Sequence, residues 1–278
     1  CASDNSSLSS SENLHFFQNI EANNMSHLGF GTKHAKPVTL SFWVKTNCAG
    51  LYNVGLQNNN KDRTCIRSFY QNGYHTWNKV VLHFSGCGDG TWTYGTGTGM
   101  AVRFCLATGT TYDDGIDGQW VHSDELTAGT QVNFMSSTNN RFFITGVQLE
   151  EGNSATPFEH RSFAEELLLC QRYYQQIVGH SDMVCVGPGR CNGTTNVPFS
   201  VPLSVPLRAS PTINSCNFAA FTATNQANIS NHTPAVTKWD ATNNVLTLQV
   251  SGLSGMTNAR AANMFLNSSH TLSMSAEL

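Results

Sequence analysis

Apolar and polar side chains alternate with a period of two again and again along this chain, and that pattern excludes most folds. In VTLSFWVK, Val38, Leu40, Phe42 and Val44 fall on one side, with Thr39, Ser41, Trp43 and Lys45 on the other, as extended backbone requires. The same reading applies to Tyr52, Val54 and Leu56, to Val80, Leu82 and Phe84, and to Met100, Val102, Phe104 and Leu106. It extends to Phe143, Thr145, Val147 and Leu149, which are expected to share one face. Turn-rich spacers (QNNNKD, SGCGDG, TGTGTG, YDDGIDG) separate these runs, and no helical period intervenes. Short alternating strands with such spacers predict an all-β antiparallel sandwich over 1–160, of jelly-roll form.

The pattern changes after Thr156-Pro157. Ser162 and Glu165 make an S-x-x-E capping box, and Phe163, Leu167, Cys170 and Tyr174 recur at helical spacing. They predict a linking helix over 161–176. A helix of about 13 residues is unstable alone in water, so its stripe must pack on its own sandwich or on identical helices around a symmetry axis. The trio Glu159, His160 and Arg161 is expected to hydrogen-bond the linker to the sandwich. From 177 to 278 the chain again predicts β structure. Val197, Phe199, Val201, Leu203, Val205 and Leu207 alternate with Pro198, Ser200, Pro202, Ser204 and Pro206. Proline cannot donate to a ladder, so this segment is expected at a sheet edge or in an extended arm, with Val201 and Leu203 at an inter-subunit seam.

Only 12% of the 278 residues are charged, and Asn, Ser, Thr and Gly take their place, a composition suited to an extracellular or particle surface. The formal net charge is -3, and without a Lys/Arg cluster there is no electrostatic case for nucleic acid. No apolar run approaches the roughly 18 residues that span a bilayer. The opening residues, CASDNSSLSSSENLHF, have no basic or apolar block of a signal peptide and no initiator Met, which suggests a start inside a longer polypeptide.

Nine cysteines occur, none in CxxC or zinc-finger spacing. Cys185 and Cys191 flank VGPGR, read as a turn, and are candidates for a disulfide. Cys48, Cys65, Cys87 and Cys105 lie in or beside expected strands and read as buried thiols.

No GxSxG, HExxH or phosphate-cradling loop is present, so the chain does not read as an enzyme. Sugar binding has better material: Trp92 and Tyr94 in GDGTWTYGTG, and Tyr112 and Trp120 around TYDDGIDGQW, are aromatics in loops, where binding commonly resides. The competing reading makes Trp77 and Trp120 plugs at the ends of the core. Asp113, Asp114 and Asp117 are of the right type for calcium, with Gly115 and Gly118 permitting the turn.

TGVQLEEGNSATPFEHRSFAEELLLCQRYYQQ, with AKPVTLSFWVK, HTWNKVVLHFSG and GTWTYGTGTGMAVRFCLATGTTY before it and VPLRASPT and SAEL after it, resembles phage tail-fibre and related virion structural proteins. In these, a jelly roll similar to carbohydrate-binding modules precedes a second β domain. The cysteines and YDDGIDG depart from that pattern. The resemblance implies a trimeric, non-enzymatic virion protein contacting other virion proteins and binding host surface glycans. An architectural decoration or shaft protein, or a carbohydrate-binding module of a secreted hydrolase, are the alternatives.

Overall fold

In the computed structural model the described residues are 3–180, 184–214, 216–222, 226–232, 235–239, 245–253, 256–266 and 270–278. The protein is all-β, with one short α-helix among the described residues, and the chain divides after His160 into two compact units.

The first unit contains β1 (Asn13–Glu21), β2 (Val38–Thr46), β3 (Gly50–Asn58), β4 (Thr64–Gln71), β5 (Asn78–Phe84), β6 (Thr98–Thr108), β7 (Trp120–Val121) and β8 (Phe142–Glu151). They form a five-stranded sheet, β1-β6-β3-β4-β7, and a three-stranded sheet, β5-β2-β8, with antiparallel pairing throughout. The chain changes sheet at β1→β2, β2→β3, β4→β5, β5→β6 and β7→β8. Alternation sends Val38, Leu40, Phe42 and Val44 into the same core as Tyr52, Val54, Leu56, Val102 and Phe104. Phe42 bridges the sheets, edge-on to Phe69 at 5.2 Å and to Phe104 at 5.2 Å.

β8 departs from the expected register. Ile144 pairs with Val44 and Leu149 with Leu40, with a register shift between, where Gly146 takes the left-handed φ of 60°. This bulge changes the parity of the strand. Phe142 and Ile144 therefore face the core beside Leu149, while Phe143 and Val147 face outward. Outside this sheet Lys45 Nζ lies between two exposed rings, 5.1 Å from Trp77 and 4.8 Å from Phe143. Trp77 is thus a surface residue rather than a plug.

The second unit opens with α1 (Phe163–Gln171), which has the full capping box: Glu165 N donates to Ser162 Oγ, and Ser162 N donates to Glu165 Oε2 at 3.0 Å. It is shorter than its stripe suggested. Arg172 caps it and Tyr174 already begins β9 (Tyr174–Val178), which pairs with β18 (Thr271–Ser275) from Tyr174↔Ser275 to Thr271↔Val178. Pairing with a distant strand outweighs local helical spacing here. No α1 side chain is buried, and Phe163 is 81% exposed with Leu167 and Cys170 also exposed.

Between them lie β10 (Val184–Arg190), β11 (Val197–Pro202), β12 (Thr212–Ile213), β13 (Cys216–Thr222), β14 (Gln226–His232), β15 (Ala235–Trp239), β16 (Val245–Val250) and β17 (Ala261–Leu266). The sheets are β14-β13-β17-β10-β11-β16-β15 and β12-β18-β9. The proline-bearing segment is not an edge: β11 lies between β10 and β16, and Val197, Phe199, Val201, Leu203 and Leu207 are core residues of this unit. Val201 and Leu203 are therefore withdrawn from any surface seam. β11 pairs along its length with β16 but makes a single register pair with β10, Gly189↔Phe199. Pro198 and Pro202 cannot donate, and a Cβ on Gly187 would collide with the Ser200 carbonyl. The glycines of GPG thus let β10 approach a strand it scarcely bonds. The strand ends at Pro202; beyond it, Gln175 Nε2 donates to Val205 O at 2.8 Å and Gln175 Oε1 accepts from Ser204 N at 3.0 Å.

The Cys185–Cys191 disulfide does not form; both are free thiols. VGPGR is strand rather than turn, and six residues of strand at roughly 3.3 Å each separate the Cα atoms by about 20 Å, far beyond the roughly 4.4–6.8 Å a disulfide spans. Cys65, Cys87 and Cys105 are buried, while Cys48 is half-buried. Burial pushes the Cys65 and Cys105 thiols up to about 12. Native-state alkylation at pH 8 followed by peptide mapping should therefore modify the exposed Cys170 and Cys185 rapidly, with Cys65 and Cys105 at least about a hundredfold slower, because thiolate and access are both required. Cys1 and Cys216 lie outside the residues whose side chains are described.

Candidate functional site

The outer face of the five-stranded sheet is where the first unit concentrates its polar chemistry. On β1 the odd positions Asn13, His15 and Phe17 point this way, since the even-numbered Phe16 stacks on the core ring of Phe104 at 5.0 Å. Arg103 stands directly across from Phe17, and Gln57 projects from β3 beside them. The long connection from β6 to β8 folds over this face. Leu126 N and Thr127 N donate to Tyr112 O at 2.9 and 3.1 Å, and Val132 N donates to Leu51 O at 2.9 Å. Asn53 is the buried hub below it: Nδ2 donates to Gln131 Oε1 at 2.8 Å, and Oδ1 accepts from Ser68 Oγ at 2.7 Å.

Where this connection leaves the sheet uncovered there is a cleft of about 180 Å³ lined by Asn13, His15, Phe17, Gln57, Lys61, Arg103, Tyr112, Asp124 and Leu126. Pockets that enclose drug-sized ligands hold roughly 300–1,000 Å³, so this one takes a single ring-sized group. Its centre is fixed by Asp124 Oδ1, which accepts from Arg103 Nη1 at 2.6 Å and from Gln57 Nε2 at 2.8 Å. Burial pushes the Asp124 carboxyl up, but the Arg103 and Gln57 hydrogen bonds outweigh it and hold the group below the usual value. His15 is lowered, first by burial and then by the Arg103 charge. Its Nδ1 lies 2.9 Å from Asn13 Oδ1. Asn13 Nδ2 is engaged with Ser11 O, so Nδ1 is the donor and neutral Nε2 is left as an acceptor. Phe17 is 56% exposed and offers an apolar face at the cleft.

Of the four aromatics expected to contact sugar, Tyr112 alone lines this cleft. Trp92 is 5% exposed, donates Nε1 to Asp89 O at 3.1 Å and packs edge-on against Phe30 at 4.8 Å and Trp120 at 5.7 Å. Trp120 is half-buried and donates to Ser85 O at 2.8 Å. These two indoles close one end of the core, so Trp92 is corrected from ligand contact to plug. Tyr94 is exposed, beside a crevice of about 10 Å³, roughly one water in size. The carboxylates of Asp113, Asp114 and Asp117 are not gathered into a metal site; no cluster of three potential ligands occurs among the described residues. Asp117 accepts from Ser68 N at 2.8 Å and lies 3.5 Å from Arg67 Nη1, so it anchors its turn to β4.

The cleft residues His15, Phe17, Lys61, Arg103 and Asp124 were not singled out by sequence. One signal was present: Arg103 is a lone cation inside the apolar strand MAVRFCLAT, and such a buried charge needs a fixed partner. Neither family models nor curated proteins give a match to this chain.

Proposed function

We propose that this protein is a non-enzymatic, trimeric virion component of tail-fibre type that attaches to host-surface glycans through the cleft over the five-stranded sheet. The observation that carries the reading is the cleft itself: ring-sized, with a prearranged Arg103–Asp124–Gln57 group beside the exposed Phe17 ring. Hydroxyls pair with such groups and the C–H face of a pyranose stacks on such a ring. The resemblance of the 145–176 segment to virion junctions supplies the setting. Printed glycan arrays probed with the full chain should give saturable binding, and Phe17→Ala should weaken it about tenfold if the ring contributes ~1.4 kcal/mol. A chain silent across bacterial polysaccharides would overturn the reading.

An architectural role is the second reading, favoured by the exposed apolar side chains outside the three-stranded sheet, Trp43, Trp77, Val81, Phe143 and Val147, and by α1. Exposed apolar groups of this kind commonly serve contacts between proteins. Silent arrays together with self-association in light scattering would favour it.

A further inference from the structure

We infer that the ligand of the cleft is a sugar bearing a carboxylate, of the uronic or ulosonic acid type; the inference rests on the glycan-binding reading above. The groups on offer to a ligand are unequal in kind. Asp124 is the one carboxylate among the lining residues, and its Oδ1 already accepts two hydrogen bonds, from Arg103 and Gln57. Arg103 has five N–H donors, and Asp124 is the single protein partner found for them among the described residues. Lys61, held at the cleft by the β3–β4 turn through Lys61 N→Asn58 O at 3.1 Å, makes no ion pair among the described residues. One cation is therefore neutralised, the other is not, and the remaining side-chain donors outnumber the acceptors. A neutral sugar matches its hydroxyls to donors and acceptors alike. A carboxylate on the ring takes a charge-assisted contact with the Lys61 ammonium and accepts from the N–H groups of Arg103 that Asp124 leaves open. The volume holds one such ring, so the unit recognised within the cleft is a single acidic residue.

His15 provides a readout that a merely structural role would not. It faces Arg103 from β6, Lys61 from the turn and Asp124 from the covering loop, with Asn13 on its own strand. A bound anion favours the imidazolium, so binding takes up a proton and tightens as pH falls.

The test is an array of acidic saccharides printed beside their carboxyl-reduced counterparts, probed with the full chain at pH 7 and pH 5. The expected result is at least about tenfold preference for an acidic form, equivalent to ~1.4 kcal/mol. Lys61→Gln, on an exposed turn, should remove most of that preference, and His15→Gln should flatten the pH dependence. Equal binding of acidic and reduced forms, or binding of neutral sugars alone, overturns the carboxylate inference and leaves glycan binding standing. Silence toward every saccharide, with the protein folded by circular dichroism, overturns both.

Discussion

Val201→Asp is expected to unfold the second unit while the first keeps its fold. Val201 is fully buried on β11, among Phe199, Leu246, Leu248 and Leu203, none of which can answer a carboxylate. An unpaired charge in such a site costs on the order of 4–5 kcal/mol or more, most of the roughly 5–15 kcal/mol that holds a domain together. Limited proteolysis with peptide mapping should show cuts appearing between 174 and 277, with 13–151 still protected, because the two cores share no residue. A seam position would behave differently: the variant would stay folded and change only its state of association. Folded, soluble Val201→Asp would show that β11 does not pack as described.

Phe42→Ala should have a comparable effect on the other unit. The ring is fully buried and touches Phe69 and Phe104 across the sandwich, so its removal empties the space between the sheets. Large-to-small substitutions of this kind cost about 3–5 kcal/mol. Thermal or urea unfolding should report a loss in that range, with the proteolytic pattern of Val201→Asp reversed: 13–151 is cut first. Phe143→Ala is the control. Phe143 lies on the same sheet but faces outward, and its replacement should leave stability nearly unchanged. A Phe42→Ala loss no larger than that of Phe143→Ala would contradict the assigned core.

The contrast between these two phenylalanines shows where sequence reading succeeds and where it stops. Alternation in VTLSFWVK placed Phe42 in the core because β2 is regular from Val38 to Val44. The same rule applied to FFITGVQL placed Phe143 inside, and the left-handed Gly146 reversed it. A bulge leaves little mark in a period-two pattern except a glycine, and most strand glycines are not bulges. The β11 segment differs: its prolines signal an edge, while the compensation lies in Gly187 and Gly189 of a separate strand. That pairing is long-range information. The tryptophans followed the same logic, since Trp92 is buried against Phe30, distant in sequence, while Trp77 stays at the surface beside Lys45. The cleft was the least legible feature, because β1, β3, the β3–β4 turn, β6 and a distant loop each bring one to three residues to it. The capping box at Ser162 was fully legible, being local.

The nine-residue α1 supports neither core: all of its side chains remain accessible, and each cluster of buried residues closes without it. Chain exchanged or spliced at this point would leave the buried clusters described for each unit whole. On the proposed glycan-binding reading, replacing the first unit while keeping the second would change the glycan recognised in one recombination event.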